Sequence, residues 1–120
     1  MTRLFMFRGD DESFNVAITE ADGSTAVNLS GAALRFVAKR RITDLDADAV
    51  IDLSTGNSTI TVTNEAAGLA RLDVPAGQTN DLTKDAFLLW DLQITDISDK
   101  VRTVASGDLI VKRDVTRTVP

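Results

Sequence analysis

The sequence predicts an all-β domain in which two sheets pack face to face, and three observations support this prediction. Apolar and polar residues alternate along several short runs, a period that is typical of strands with one buried face. Single glycines and clusters of Asp, Asn and Ser separate these runs at intervals of about ten residues. The chain has 120 residues, 43% of them hydrophobic and 26% charged, which fits one globular domain. We therefore predict a single β-sandwich over residues 1–120, with about seven to nine short, mostly antiparallel strands.

Short alternating runs in the first half of the chain predict four strands. One of them is ambiguous, because 31–41 lacks proline and a helix is its alternative. Phe36-Val37 and the alternating Arg and Lys residues favour a strand there. The four predicted strands lie at 14–18, 34–38, 49–53 and 60–63.

A predicted hairpin links the two halves of the chain. The strand at 60–63 turns through 64–68 into a strand at 70–74, which Pro75 ends because proline has no N–H for a ladder. Capping residues at 79–85 then indicate one helical turn between strands.

The longest predicted strand covers 87–95. Trp90 lies on its more apolar face, and we predict that it anchors the core, because a buried indole covers a large area when its N–H finds a partner. Two further strands are predicted at 101–104 and 108–115, divided by Ser106-Gly107. The tail at 116–120 is expected either to fray or to pair with a partner.

The N-terminal segment contains four consecutive apolar residues, Leu4, Phe5, Met6 and Phe7. Near a chain terminus, such a run is either a first strand or an apolar patch that awaits a partner. A first strand is the favoured interpretation. These four residues are also the candidate contacts for assembly with other proteins.

Arg8-Gly9-Asp10 follows directly and has two interpretations. As an integrin ligand, it would need an extracellular protein, but the chain has no cysteine for disulfides and no signal-peptide apolar run. Its position between two predicted strands favours a structural turn, in which Gly9 permits the bend and Asp10 or Asp11 accepts backbone N–H groups. Gly9→Ala is then expected to destabilise the fold, because a side chain disfavours positive φ.

The residue types that carry most catalysis are missing from the chain. It has no His, Cys or Tyr, which removes Ser-His-Asp and Cys-His sites and the ligands that transition metals prefer. A carboxylate pair of the glycosidase kind remains as an alternative. Asp44, Asp46 and Asp48 have the spacing of a calcium loop, but Ala49 and Thr55 replace its turn glycine and closing glutamate. We expect no catalytic residue, no metal and no cofactor.

Charge and hydropathy narrow the class of partner. The formal net charge of −5 disfavours nucleic acid, whose phosphates are bound mainly by Lys and Arg. No segment is long and apolar enough for a transmembrane helix. We therefore expect protein partners, with no nucleic acid and no membrane.

Short strand-like motifs are spread over nearly the whole chain: Arg8-Gly9-Asp10-Asp11 with Phe14-Asn15-Val16, Val27-Asn28-Leu29-Ser30-Gly31-Ala32 with Leu34-Arg35-Phe36, Ala67-Gly68-Leu69-Ala70, Trp90-Asp91-Leu92-Gln93-Ile94-Thr95-Asp96, and Gly107-Asp108-Leu109-Ile110-Val111 with Asp114-Val115-Thr116. In order and spacing they resemble the N-terminal domain of phage upper-baseplate proteins and related small tailed-phage structural proteins. The resemblance implies an immunoglobulin-like β-sandwich that docks on a virion ring and presents receptor-binding or fibre components. It carries over no functional residue, because the matching motifs are structural.

We therefore expect a non-enzymatic virion structural protein of a phage or prophage, a tail, baseplate or fibre-attachment module that acts by protein–protein assembly. A head or neck decoration protein of the virion is one alternative. A carbohydrate-binding sandwich is another, for which an exposed Trp90 is the expected aromatic platform. The expected partners are other virion proteins and further copies of the chain, in a particle assembled in the cytoplasm of the bacterial host.

Overall fold

Eight β-strands dominate the structure, a computed structural model that describes residues 2–20, 23–79, 82 and 85–113. The strands are β1 (Thr2–Phe7), β2 (Glu12–Ala17), β3 (Ala33–Lys39), β4 (Ile51–Ser54), β5 (Ile60–Asn64), β6 (Leu69–Val74), β7 (Ala86–Thr95) and β8 (Val101–Lys112). One helical turn, α1 (Ala76–Thr79), and a 3-10 turn at Asp46–Asp48 complete the regular structure. Within the described ranges, no helix has the length and apolar character to cross a membrane.

The strands form two sheets that pack as an immunoglobulin-like sandwich. The larger sheet has five strands in the order β1-β8-β7-β3-β4, and the smaller has three in the order β2-β6-β5. All pairings are antiparallel except that of β1 with β8. The chain passes from one sheet to the other four times, between β1 and β2, β2 and β3, β4 and β5, and β6 and β7. The predicted all-β sandwich is confirmed, including the strand at 33–39 for which a helix was the alternative.

Alternation along the strands decides which side chains fill the core between the sheets. In β7, every second residue from Ala86 to Ile94 is buried, and the residues between them point outward or lie half-buried. Trp90 is 6% exposed, stacks on Phe36 with ring centroids 5.2 Å apart, and donates its indole N–H to the Asp108 carbonyl at 3.0 Å. The indole therefore buries its area without leaving a buried donor unpaired.

One predicted strand boundary is wrong, because Ser106-Gly107 does not interrupt the last strand. β8 runs without a break through both residues, and Gly107 lies directly opposite Trp90 of β7. A residue without a side chain at this inward position leaves room for the indole ring beside it. The pairing of β7 with β8 has one irregularity, a register shift between Leu92 and Gln93 of β7. Residues 114–120, which include the end of the predicted strand and the tail, lie outside the described residues.

The helical turn forms earlier than the predicted 79–85. α1 begins directly after Pro75, and Gln78 donates its N–H to the Pro75 carbonyl at 3.0 Å. Proline fixes φ near the helical value and favours the start of a helix, so Pro75 stops the ladder after β6 and precedes the first residue of α1. Of the predicted turn, residues 80, 81, 83 and 84 lie outside the described residues.

Candidate assembly surface

An apolar cluster lies on the outer face of the five-stranded sheet, and we call it the aromatic patch. Its side chains come from three adjacent strands, where Phe5 of β1 lies opposite Ile110 of β8, and Ile110 lies opposite Phe87 of β7. Phe87 is 70% exposed, and the two phenylalanines of β1 are about half exposed. The members of the aromatic patch are Phe5, Phe7, Phe87, Leu89 and Ile110.

Alternation along β1 divides the four N-terminal residues predicted to mediate assembly. Met6 is buried in the core, and Leu4 is half-buried and packs against it. Phe5 and Phe7 point to the outer face, where their rings meet edge to face with centroids 5.7 Å apart. Only these two of the four side chains are placed to contact another protein.

The remaining members of the aromatic patch were not among the predicted contacts. Phe87 and Leu89 occupy outward positions of β7, and Ile110 lies beside them on β8. The sequence contained a signal for the first two, because both faces of the predicted strand at 87–95 begin with large apolar residues. Here only the inner face of that strand is covered by the described chain, and Phe87 and Leu89 stay exposed on the outer one.

Paired charges flank the aromatic patch at two corners. Arg3 contacts Asp108 at 3.4 Å, and Lys112 contacts Asp85 at 3.6 Å. The pKa of Asp85 is lowered, first by the hydrogen bond that its carboxylate accepts from the Arg113 backbone N–H and then by the Lys112 cation. Each pair is neutral as a unit, so a partner that covers the apolar side chains does not have to compensate a net charge there.

The backbone of β1 presents hydrogen-bonding groups on two sides, and β8 uses one of them. Arg8 donates its N–H to the Lys112 carbonyl at 2.8 Å, where the chain leaves the parallel ladder. Since the groups of successive residues point to opposite sides of a strand, the even-numbered residues of β1 face β8. The odd-numbered ones face away, toward an edge at which no other described strand pairs. Those outward groups belong to Arg3, Phe5 and Phe7, of which the Phe7 carbonyl accepts the Asp10 N–H at 3.4 Å within the following turn.

The opposite edge of the same sheet is closed by a side chain. Gln78 of α1 accepts the Asp52 N–H at 3.0 Å and donates its amide to the Asp52 carbonyl at 3.2 Å. The glutamine amide thus takes the place of a neighbouring strand. β4 is also only four residues long, and its Asp52 carboxylate forms an ion pair with Arg35 at 2.9 Å. Short length and charge are common protections of an edge strand.

The loop between β3 and β4, which we call the covering loop (residues 40–50), folds over the outer face at this closed edge. Asp46 contacts Lys39 at 2.6 Å and Arg35 at 3.3 Å. The loop borders a depression of about 370 Å³, which Val37 and Asp91 also line. Lys39 holds the pKa of Asp46 below its usual range, chiefly through a hydrogen bond. A glycosidase acid needs a raised pKa, so Asp46 lacks that property.

The carboxylates of the calcium-like spacing do not converge on one point. Asp44 accepts the Arg41 N–H at 3.3 Å, whereas Asp46 contacts the cations of β3. In the part of the chain that the structure describes, no group of three or more potential ligands could hold a metal ion.

The turn at Arg8-Gly9-Asp10 is tied to the segment around α1. Gly9 has a φ of 75° and donates its N–H to the Thr79 hydroxyl at 2.9 Å. The Arg8 guanidinium donates to the Leu82 carbonyl at 3.1 Å, so it does not project freely from the turn. Asp11 accepts the N–H of Ala76 at 2.9 Å, a contact beside the paired ends of β2 and β6 and not within the turn. The tripeptide therefore connects two segments of the fold.

Comparisons with known proteins leave the function open. No family model and no curated protein matches the sequence. Among solved structures, the chain is similar to AggA, the major subunit of aggregative adherence fimbriae type I from Escherichia coli, with 7% sequence identity and a TM-score of 0.35. That alignment covers 95% of this chain and 91% of AggA. A likeness at this level carries no functional inference, and the fold assignment rests on the strand topology given above.

Proposed function

We propose that this chain is a non-enzymatic structural protein of a tailed phage or prophage particle, a tail, baseplate or fibre-attachment module that works by protein–protein assembly. The observation that carries the proposal is the aromatic patch. Contiguous exposed apolar surface is uncommon on monomeric proteins and marks interaction sites. The sequence resemblance supports the kind of particle, and the aromatic patch supplies the means of attachment.

The aromatic patch has the properties of a binding centre. Phe87 extends from β7, a strand paired on both sides, so its position is fixed before binding. A rigid aromatic side chain loses little conformational freedom when a partner covers it, and such residues carry most of the energy of many interfaces. The flanking pairs Arg3 with Asp108 and Lys112 with Asp85 form the polar rim that such a centre needs.

Nothing in the described structure favours the carbohydrate-binding alternative. Its expected platform, the Trp90 ring, is stacked on Phe36 inside the sandwich, and its N–H is already bonded to a backbone carbonyl. The rings that are exposed belong to phenylalanines at the edge and middle of the large sheet.

A complementation experiment in a bacterium that carries the phage or prophage tests the proposal. The gene is deleted and supplied in trans as wild type, as Phe87→Ser or as Leu69→Ser. Leu69 is the matched control, because it is an apolar residue of the smaller sheet, 39% exposed and distant from the aromatic patch. Mass spectrometry of purified particles should find wild type and Leu69→Ser, with Phe87→Ser reduced at least about tenfold.

Two outcomes would overturn different parts of the proposal. If the wild-type protein is missing from purified particles, the virion assignment is wrong. If Phe87→Ser enters particles as well as wild type, the aromatic patch is not the attachment surface. Immunogold labelling of the wild-type particles then separates a tail or baseplate position from a head or neck position.

A further inference from the structure

We propose that two copies of the chain associate through β1, which pairs antiparallel with β1 of a second copy across a twofold axis at Phe5. The inference deepens the proposed function and rests on its assembly role, since it names a second copy as the partner at this edge. It concerns the backbone edge of β1, whereas the face of the aromatic patch remains available to a different virion protein.

The outward backbone groups of β1 are self-complementary. The outward N–H and C=O groups belong to alternate residues, and an edge strand with such groups is a template for another strand. With the axis at Phe5, this residue lies opposite itself, and Arg3 lies opposite Phe7 of the second copy. All outward groups can then pair, giving about six hydrogen bonds between the copies, in which the Phe7 carbonyl, already the acceptor of the Asp10 N–H at 3.4 Å, accepts a second donor. A register shifted by two residues toward the turn places Arg3 opposite Gly9, whose N–H already donates to the Thr79 hydroxyl.

The side chains of β1 fit the same register. Because side chains alternate between faces, odd-numbered residues stay on the outer face and even-numbered residues stay on the core side in both copies. Arg3 is the only charged residue of β1, and this register places it against an aromatic ring, an arrangement that attracts a cation. The Arg3 residues of the two copies are about 13 Å apart, so like charges do not oppose each other.

The closed edge explains why the assembly stops at two copies. Pairing of β1 with the β4 edge of another copy would build an open chain, because every added copy would present a new free edge. Gln78 already occupies the backbone groups of Asp52 at that edge. Pairing of β1 with itself uses both free edges at once and gives a closed dimer.

The dimer buries a modest area. A six-residue strand is about 20 Å long, so one paired edge with its flanking aromatic rings falls below the roughly 1,600 Å² of a standard interface. We therefore expect a dissociation constant in the micromolar range or weaker. In an assembled particle, neighbouring copies are held close together. Their effective concentration is then high, and a weak interface stays occupied.

Disulfide trapping tests the pairing, and the absence of cysteine from the chain makes single cysteine variants unambiguous. Phe5→Cys places two thiols on the axis, with Cα atoms about 5.5 Å apart, inside the range that a disulfide allows. Arg3→Cys alone holds its thiols too far apart. A mixture of Arg3→Cys with Phe7→Cys should form the mixed dimer, because those positions oppose each other. Phe87→Cys, in the middle of the aromatic patch, reports face-to-face packing.

Under mild oxidation, we expect Phe5→Cys and the Arg3→Cys with Phe7→Cys mixture to form covalent dimers at least about tenfold faster than Arg3→Cys or Phe87→Cys alone. Each variant is first shown by denaturant unfolding to keep the wild-type fold. Phe5→Cys loses an aromatic ring, and this loss could weaken the dimer. The mixture of Arg3→Cys with Phe7→Cys keeps Phe5 in both chains, so it tests the same register without that loss.

Three outcomes would overturn the inference. Faster trapping of Arg3→Cys alone contradicts the register, and faster trapping of Phe87→Cys shows face packing in place of edge pairing. No trapping above the controls, with a wild-type monomer at about 1 mM by sedimentation, shows that β1 does not pair. None of these results decides the virion assignment, which depends on incorporation into particles.

Discussion

The two edges of the five-stranded sheet differ in nearly every property that controls strand pairing. The β4 edge is short, carries the ion pair between Asp52 and Arg35, is capped by Gln78, and lies beside the covering loop. The β1 edge is longer, has a single charged side chain in Arg3, and has no capping side chain among the described contacts. One chain thus contains both a protected edge and an unprotected one.

This difference agrees with the pairing proposed for the open edge. Exposed apolar edges promote uncontrolled association, and natural sheets protect them. The means of protection are present in this chain, since Gln78 reaches Asp52 from an element outside the sheet. An edge left open beside the aromatic patch, in a sheet whose other edge is closed, limits association to one defined contact.

Proline substitutions within β1 give the largest expected effect. Met6 is 1% exposed, and its N–H faces β8, so Met6→Pro loses a buried side chain and a ladder hydrogen bond, at a cost of about 4 kcal/mol. The N–H of Phe5 faces the free edge, so Phe5→Pro should cost about 1 kcal/mol or less. Urea unfolding measures both values.

The same proline pair separates folding from association. Phe5→Pro should remain folded and become monomeric in sedimentation experiments, because the missing N–H and the ring block the pairing of two copies. A folded Phe5→Pro that dimerises as well as wild type would show that the β1 edge is not the contact. A stable Met6→Pro would show that the backbone of β1 faces the other way.

Removal of the glutamine cap should make the closed edge resemble the open one. In Gln78→Ala, the Asp52 N–H and C=O lose both partners, which costs about 1–2 kcal/mol and exposes the ladder groups of β4. We expect lower stability in urea and association beyond a dimer at high concentration. Gln78→Glu is the control, because it keeps the acceptor for the N–H and loses the donor to the carbonyl. Wild-type stability and size in Gln78→Ala would contradict the capping role.

The sequence predicted the fold class because its signals are local. Alternation in the runs around Phe36 and Leu88, and the turn chemistry between them, depend only on neighbouring residues. The division of 4–7 into inward and outward side chains also follows from alternation, once β1 is known to be a strand. All four residues of 4–7 were predicted as contacts, because a short apolar run by itself does not reveal which of its two faces is covered by the rest of the chain.

The features that the sequence missed depend on long-range contacts. Ser106-Gly107 resembles a strand break until Trp90 is placed opposite Gly107 in the neighbouring strand. Gln78 has no local signal, since its partner Asp52 lies 26 residues away. The joining of Phe87 to Phe5 in one patch depends on the strand order, which alternation does not determine. A candidate site built across strands therefore needs the topology before its members can be identified.

Acid should loosen the covering loop while leaving the β1 edge unchanged. Lys39 and Arg35 lower the pKa of Asp46 in the folded state, so this carboxylate stabilises the loop fully above its unfolded pKa. That contribution is lost as the pH falls through the lower folded value, which places the change below about pH 4. Amide hydrogen exchange should then rise first in 40–48. At neutral pH, Asp46→Asn should reproduce the effect and Asp48→Asn should not.

The smallest effect concerns the one charge of the open edge. The Arg3 side chain is 68% exposed in its ion pair with Asp108, so Arg3→Gln should change the free energy of unfolding by less than about 0.5 kcal/mol. In the dimer, the same change removes two contacts of a cation with a ring, Arg3 of each copy with Phe7 of the other, worth together about 1–2 kcal/mol. The dissociation constant should therefore rise about five- to thirtyfold. Lys112→Gln is the control, because its pair with Asp85 lies on β8 and not on the free edge. If Arg3→Gln and Lys112→Gln gave equal dissociation constants, Arg3 would not contact the second copy and the proposed register would be wrong.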